Sequence, residues 1–230
     1  YYNVMWYFVT WVIPTGSAVL ALTTFLSYGL GLLRDRIFAH TYGLSTQLDA
    51  YNAAFLLPDL LFNVLVASGI AAAAIPLFSD LREKHSKHAF EYINSLLTAA
   101  MVTMLVAAVL FFVFAGVAAR LVAPGLAEAD QTLVAQLIRV LSLSPILFAA
   151  SNGLGALLVA EKRFLFYGLS PVLYNLGIIG GTLFLAPTFG VMGTAYGTLA
   201  GAVLHASIRM LGAWRTGWRG HISFAWQTDE

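Results

Sequence analysis

The run LLRDRIFAHTYGLSTQLDAYNAAFLLPDLLFN, Leu32 to Asn63, decides how the rest of the chain is read. It sets Arg34, Asp35, Arg36, Asp49 and Asp59 between two strongly apolar segments of a protein in which only 10% of residues are charged. An ionised Arg or Asp at the middle of a spanning helix costs roughly 2.5–3.5 kcal/mol on insertion scales. Such residues therefore persist where they face a cavity, a partner or the interface.

Outward from that run, 60% of the 230 residues are hydrophobic and the mean hydropathy is +0.81. Soluble domains hold roughly 45–50% apolar residues, so the class is an all-α integral membrane protein. At about 20 apolar residues per span the chain accommodates about six helices, and a six-transmembrane-helix bundle is expected. The expected helices run from about Met5 to His40, Asp49 to Ser79, Phe90 to Ala119, Gln131 to Ala160, Phe164 to Ala186 and Val191 to Leu211. Residues 1–213 form this transmembrane unit, and residues 214–230, with aromatics around Arg215 and Arg219, read as an interfacial segment.

Proline and glycine punctuate the spans. A break is expected near Pro14 and Gly16, a kink at Pro58, an interruption at Ser142, Ser144 and Pro145, and loosening at Pro171, Gly177, Gly180 and Gly181. The segment LREKHSKH, Leu81 to His88, is the strongest hydrophilic punctuation. Alternating the loops puts Arg82, Lys84, Lys87, Lys162, Arg163, Arg209, Arg215 and Arg219 on one side, against Arg120 on the other. The positive-inside rule makes the N-terminus cytoplasmic. YYNVMWYFV shows no secretory leader, and without an initiator Met the chain reads as truncated at both ends. No cysteines are present, which excludes disulfides and thiolate metal sites.

At about 100° per residue, Asp49, Asn52, Asp59 and Asn63 fall within an arc of roughly 80° on the second helix. This polar stripe reads either as a cavity lining or as interhelical glue. Thr24, Ser27, Gly31 and Arg34 share a face of the first helix, a small-residue track leading to a cation. Arg34, Asp35 and Arg36 could equally be a self-neutralising triplet reaching for headgroups. Arg139 lies about 13 Å inside the fourth helix at 1.5 Å per residue, which favours a cavity-facing role. Gly193, Gly197 and Gly201, spaced by four, form a ridge for close helix contact. Asn152, Asn175 and His205 read as packing partners. Gly-rich phosphate loops, paired His ligands and a Ser/His/Asp set are absent, so no enzyme is expected. Kinked helices with intramembrane charges match the needs of a transporter.

The Ser-x-x-x-Gly-x-x-Arg-Asp pattern of Ser27, Gly31, Arg34 and Asp35, then Gly43, Asp49-Ala50, Leu57-Pro58 and Pro76, resembles the start of the MurJ/MviN lipid II flippases. These belong to the multidrug/oligosaccharidyl-lipid/polysaccharide exporter superfamily. The resemblance continues more weakly through Arg139 and the Lys162–Phe164 turn, and implies the N-terminal six-helix lobe of a two-lobed flippase. It further implies alternating access by which an undecaprenyl-diphosphate-linked peptidoglycan precursor crosses the bacterial inner membrane, in cell-wall biogenesis. The expected partners are that precursor, membrane lipids and a missing C-terminal lobe, with no nucleic acid, no cofactor and a coupling ion left open.

The implied cavity residues are Arg34, Asp35 and Asp49, which the reading extends to Arg36, Asn52, Asp59, Asn63 and Arg139. Tyr28, and Phe62 with Asn63, stand where the family usually carries basic residues. The cavity is thus less cationic than the family pattern, which leaves another polyprenyl-linked oligosaccharide or a drug as alternative cargo. A non-transporting membrane scaffold is the alternative from a different class.

Overall fold

The computed structural model describes residues 15–64, 70–84 and 86–224. They form helices α1 Thr15–Tyr42, α2 Thr46–Phe62, α3 Ile70–Lys84, α4 Ser86–Val113, α5 Ala115–Val122, α6 Glu128–Leu141, α7 Ser144–Ala160, α8 Phe164–Gly180, α9 Ala186–Phe189 and α10 Val191–Trp214. No strand occurs among the described residues. Five helical stretches there are long and apolar enough to cross a membrane: Gly16–Tyr42, His88–Val113, Glu128–Ala160, Phe164–Phe189 and Val191–Trp214.

The second of the six expected spans is the one missing from that set. It exists as α2 and α3, and residues 65–69 between them lie outside the described residues, as do the expected start at Met5, the break near Pro14 and residues 225–230. Pro58 sits inside α2 without ending it, and the helix closes at Phe62. The hydrophilic Leu81–His88 segment, expected as a loop, is largely helix, with α3 reaching Lys84 and α4 starting at Ser86.

Local chemistry explains the remaining boundaries. Gly43, at φ +57°, ends α1 by donating its N–H to Ala39 O at 3.0 Å, a left-handed cap that a side chain would strain. Between α6 and α7 the ladder stops at Ser142 and Leu143, and Pro145 falls in the first turn of α7, where its missing N–H removes nothing. α6 carries Glu128 and Asp130 in its first turn and Arg139 in its last, the polarity that complements the helix dipole. The third expected span divides at Phe114 into α4 and α5.

The bundle is built around α8 and α10. Gly177 of α8 and Gly181, which opens the π-helical turn Gly181–Leu185 that extends it, face Gly197 and Gly201 of α10 backbone to backbone, and a Cβ on Gly197 would lie 2.7 Å from Gly177 O. The expected ridge is thus a helix contact, met by Gly177 and Gly181. α1 runs along α8, with Thr23 seated over Gly168. α7 packs on α10, α4 and α3 pack on α7, and α2 packs on α6.

One apolar core joins the ends of α1 and α2 to α5, α6 and the start of α10, through Phe38, Ala54, Ala119, Leu137 and Val191. A second joins Phe78, Ile93, Leu157, Ala213 and Trp218 at the other ends. The two cores gather alternate chain turns, as an up-and-down membrane bundle requires. Leu22, Phe25 and Leu32 of α1 and Leu105, Val109 and Phe112 of α4 are exposed, the apolar exterior of a protein solvated by lipid.

After α10 the chain returns over the start of α4. Trp218 is only 4% exposed and donates its indole N–H to Asn94 Oδ1 at 2.9 Å. His221 lies 3.1 Å from the Glu91 carboxylate, and Ser223 N donates to Thr98 Oγ1 at 3.1 Å. Within the expected interfacial segment, Trp218 is thus packed into the bundle. Its ring finds a buried amide acceptor, while Trp214 and Phe224 stay exposed.

The glycine contact makes a paired prediction. Gly197→Leu should destabilise the purified protein by about 1–3 kcal/mol, since the neighbouring backbone cannot yield. Gly180→Ala, where a Cβ meets nothing within 4 Å, should be neutral or stabilising by up to about 1 kcal/mol. Thermal unfolding followed by size-exclusion chromatography separates the two, and equal melting temperatures would remove the close-contact argument.

Candidate functional site

Between α1, α2, α7, α8 and α10 lies an open cavity of about 850 Å³. Its polar lining comes from Arg34 and Asp35 of α1, Tyr51, Asn52 and Asp59 of α2, Asn63 just beyond α2, Asn152 of α7, Tyr174 of α8 and His205 of α10. Phe38, Phe55, Phe62 and Phe148 fill the gaps between them.

Arg34 occupies one side. Its Nε and Nη2 donate to Asp35 Oδ1 at 3.0 and 2.8 Å, and Nη1 donates to Asn175 Oδ1 at 3.3 Å. Asn175 is itself tied to α1 through Ser27, whose carbonyl and hydroxyl oxygens accept from Nδ2 at 3.4 Å. The Arg34 side chain is 29% exposed and that of Asp35 61%. The cation is therefore held from behind by a neutral amide and from the front by a carboxylate that water reaches. Asn175, expected as a packing partner, is what aims Arg34.

Five of the eight candidate residues come together here: Arg34, Asp35, Asn52, Asp59 and Asn63. Three do not. Asp49 is exposed in the first turn of α2, outside the cavity. It precedes Asn52 by three residues and so sits roughly 60° further round the helix, while the cavity extends the other way, over Leu48, Tyr51 and Phe55. Arg36 is exposed and points away from the lining, as its place two residues after Arg34 dictates. Arg139 faces the break between α4 and α5, where Nε donates to Phe112 O at 3.4 Å and the guanidinium lies 5.9 Å from the Phe112 ring. Its depth is served by a main-chain acceptor and an aromatic face, not by the cavity.

The opposite wall holds what sequence reading missed. Asn152 and His205 line the cavity, and behind them lies Arg209, counted above among loop charges but only 6% exposed. Arg209 donates from Nε to Ser170 Oγ at 2.7 Å, and from Nη1 to Ser151 O at 3.0 Å and Asn152 Oδ1 at 3.1 Å. Its guanidinium stands 4.5 Å from the Tyr167 ring centre. Ser151 Oγ and His205 Nδ1 share a hydrogen bond of 2.8 Å. The signal was present: Gly193, Gly197, Gly201, His205 and Arg209 continue one four-residue spacing, so the ridge that buries the glycines buries these two as well.

Further along α10, Tyr51 and Thr198 share a 2.7 Å hydrogen bond, and Thr194 bonds both Tyr42 and Thr182. These contacts close the cavity toward the turn side of the bundle. At the other end Arg82 donates from Nε to Glu161 Oε1 at 2.7 Å, joining two of the loops that were expected to share a side. No group of three or more His, Cys, Asp or Glu suited to a metal ion occurs among the described residues.

Comparison with known proteins places this architecture. The family model "Lipid II flippase MurJ" matches residues 38–230, beginning just after Arg34. The lipid II flippase MurJ of Thermosipho africanus is 29% identical over 191 residues, covering 82% of this chain and 39% of that protein. A Thermotoga maritima relative is also 29% identical over 191 residues, covering 80% of this chain and 38% of its own length. A solved structure described as lipid II flippase MurJ in an inward closed conformation superposes with a TM-score of 0.76 at 25% identity, covering 90% of this chain and 44% of that one. The chain thus spans about two fifths of the length of the curated relatives that it matches. On the family match across most of its length and the shared bundle, this chain is a multi-pass membrane protein belonging to the lipid II flippase MurJ family.

Proposed function

We propose that this chain is the N-terminal lobe of a flippase that carries an undecaprenyl-diphosphate-linked peptidoglycan precursor, lipid II, from the inner to the outer leaflet by alternating access. The membrane is the bacterial inner membrane, with the N-terminus and the basic loops on the cytoplasmic side. The observation that carries this reading is the inward Arg34: a guanidinium held by Asp35 and Asn175 at the edge of an 850 Å³ cavity, in a bundle whose outside is apolar.

Arg34 suits a diphosphate because its planar fork pairs with two phosphate oxygens at once. Asp35 already occupies that fork, so an arriving phosphate exchanges with a carboxylate instead of meeting a bare cation. The exchange keeps Arg34 paired in both states and makes binding reversible, as transport requires. The cavity opens on one side, where a second lobe completes it. Asn52, Asp59 and Asn63 offer the headgroup hydrogen bonds along α2. The chemistry described needs no cofactor.

Another polyprenyl-linked oligosaccharide remains the second reading, favoured by one observation. The lining carries Arg34 against both Asp35 and Asp59, and Tyr28 is 70% exposed, away from it.

Two predictions follow from the cavity. Arg34→Gln in the full chain should abolish rescue of cells depleted of their own precursor flippase, with membrane levels of the variant unchanged, and Arg34→Lys should rescue weakly because a point charge lacks the fork. Undiminished rescue by Arg34→Gln would end the proposal.

The chain contains no cysteine, so single cysteines report on access directly. Asn52→Cys and Asp59→Cys should react with a membrane-impermeant maleimide in intact or permeabilised cells, and Val109→Cys on the lipid face should not. Protection at Asn52 and Asp59 under both conditions would mean a dry cluster of helix glue.

A further inference from the structure

The wall formed by Asn152, His205 and Arg209 is not explained by phosphate binding at Arg34. Arg209 is nine-tenths buried, and the groups it binds are neutral: the Ser170 hydroxyl, the Ser151 carbonyl and the Asn152 amide oxygen. Gly155 leaves the space, since a Cβ there would fall 2.6 Å from Arg209 Nη1. A buried cation of this kind is costly, and its arrangement has a definite consequence for the two cavity-lining residues in front of it.

Asn152 Oδ1 accepts from Arg209, which fixes the oxygen end of the amide and leaves Nδ2 as the donor end of a residue that lines the cavity. His205 uses Nδ1 on Ser151 Oγ, which leaves Nε2 as the ring nitrogen on its other edge. Phe148 stands 5.1 Å from both the Tyr174 and the His205 ring centres, with Tyr174 and His205 6.4 Å apart. The result is an amide donor and an imidazole edge set beside aromatic faces, with a positive charge behind them. Arg34, on another wall, is oriented by separate partners.

We infer that this wall is a second subsite, which recognises the glycan part of the cargo through hydroxyl and amide-carbonyl oxygens while Arg34 takes the diphosphate. Arg209 acts as a positioning residue: it never meets the cargo, but it fixes Asn152 as a donor and biases the wall toward acceptor groups. Sugar rings offer such oxygens together with C–H faces that stack on aromatics, whereas bare diphosphate offers nothing for Phe148 and Tyr174. The inference rests on the flippase reading and adds to it a structural basis for choosing among lipid-linked cargoes.

The test is binding of two lipids, undecaprenyl diphosphate and the same lipid carrying a disaccharide, to the full chain in nanodiscs. The wild type should prefer the glycosylated lipid. Asn152→Asp keeps an oxygen for Arg209 but removes the donor, and should lower the preference ratio about tenfold, the worth of one well-placed hydrogen bond. His205→Phe, which keeps the aromatic packing, should lower it too. Arg209→Gln should lower the ratio and Arg209→Lys should restore part of it, a pattern that a purely structural Arg209 would not produce. Arg34→Gln should weaken both lipids alike.

Equal loss on both lipids in the Asn152 and His205 variants, or an unchanged ratio, would overturn the subsite while leaving the flippase reading in place. Failure of the wild type to bind either lipid would overturn both.

Discussion

The contact on which the rest of the molecule depends is the one without side chains. Gly177 of α8 and Gly181 just after it lie against Gly197 and Gly201 of α10 closely enough that no Cβ fits between them. In lipid there is no hydrophobic drive to bring two apolar helices together, so association depends on contact area and on hydrogen bonds. The glycines supply the area. They also bring hydroxyls within reach of one another, so that Thr182 and Thr194 bond at 3.1 Å. Four polar groups in or behind the cavity are then referred to this pair: Tyr174 and Asn175 stand on α8 just before the crossing, and His205 and Arg209 stand on α10 just after it. Loosening the crossing would displace all four together.

A second constraint follows from the solvent. Backbone and side-chain polar groups inside a bilayer must find partners within the protein, and this bundle meets the demand in two distinct ways. Arg209 is enclosed by three acceptors from two helices and by the Tyr167 ring, a closed arrangement. Arg34 keeps one face toward the cavity and shares its charge with a carboxylate that water reaches, an open one. The first fixes geometry. The second can change partners without leaving a buried charge uncompensated, which is the property a site for transient anionic cargo needs.

Much of the fold was legible because membrane solvation writes it in composition: apolar runs, Pro and Gly interruptions, and a four-residue glycine spacing. The break at Phe114 was not, since nothing in LFFVFAG marks it. The site was legible where a helix face could be phased and illegible where the phase was wrong. Asn52, Asp59 and Asn63 reach the cavity, but the cavity's centre on α2 lies toward Tyr51 and Phe55, so Asp49 falls off the far edge. Charge counting placed Arg209 in a loop because it lies within about 8 Å of the end of α10 at 1.5 Å per residue. Only the continued spacing from Gly201 through His205 shows that it shares the buried ridge. The packing of Trp218 on Asn94 was illegible for the related reason that an aromatic near a basic residue fits an interface and a buried amide equally well.

The charge balance of the cavity brings these strands together. The lining holds Arg34, paired with Asp35, and the further carboxylate Asp59, so its charged groups alone leave the space without a surplus of positive charge. Arg209 alters that balance from behind the wall, where low polarisability lets a charge act over a longer distance than it would in water. Its partners are dipoles, which orient its field without cancelling it. A cation placed so is kept from close ion pairing with whatever occupies the cavity, yet its charge is still felt there. Positive charge thus reaches the cavity from α10 as well as from Arg34 on α1, at a site where it also holds the Asn152 amide oxygen.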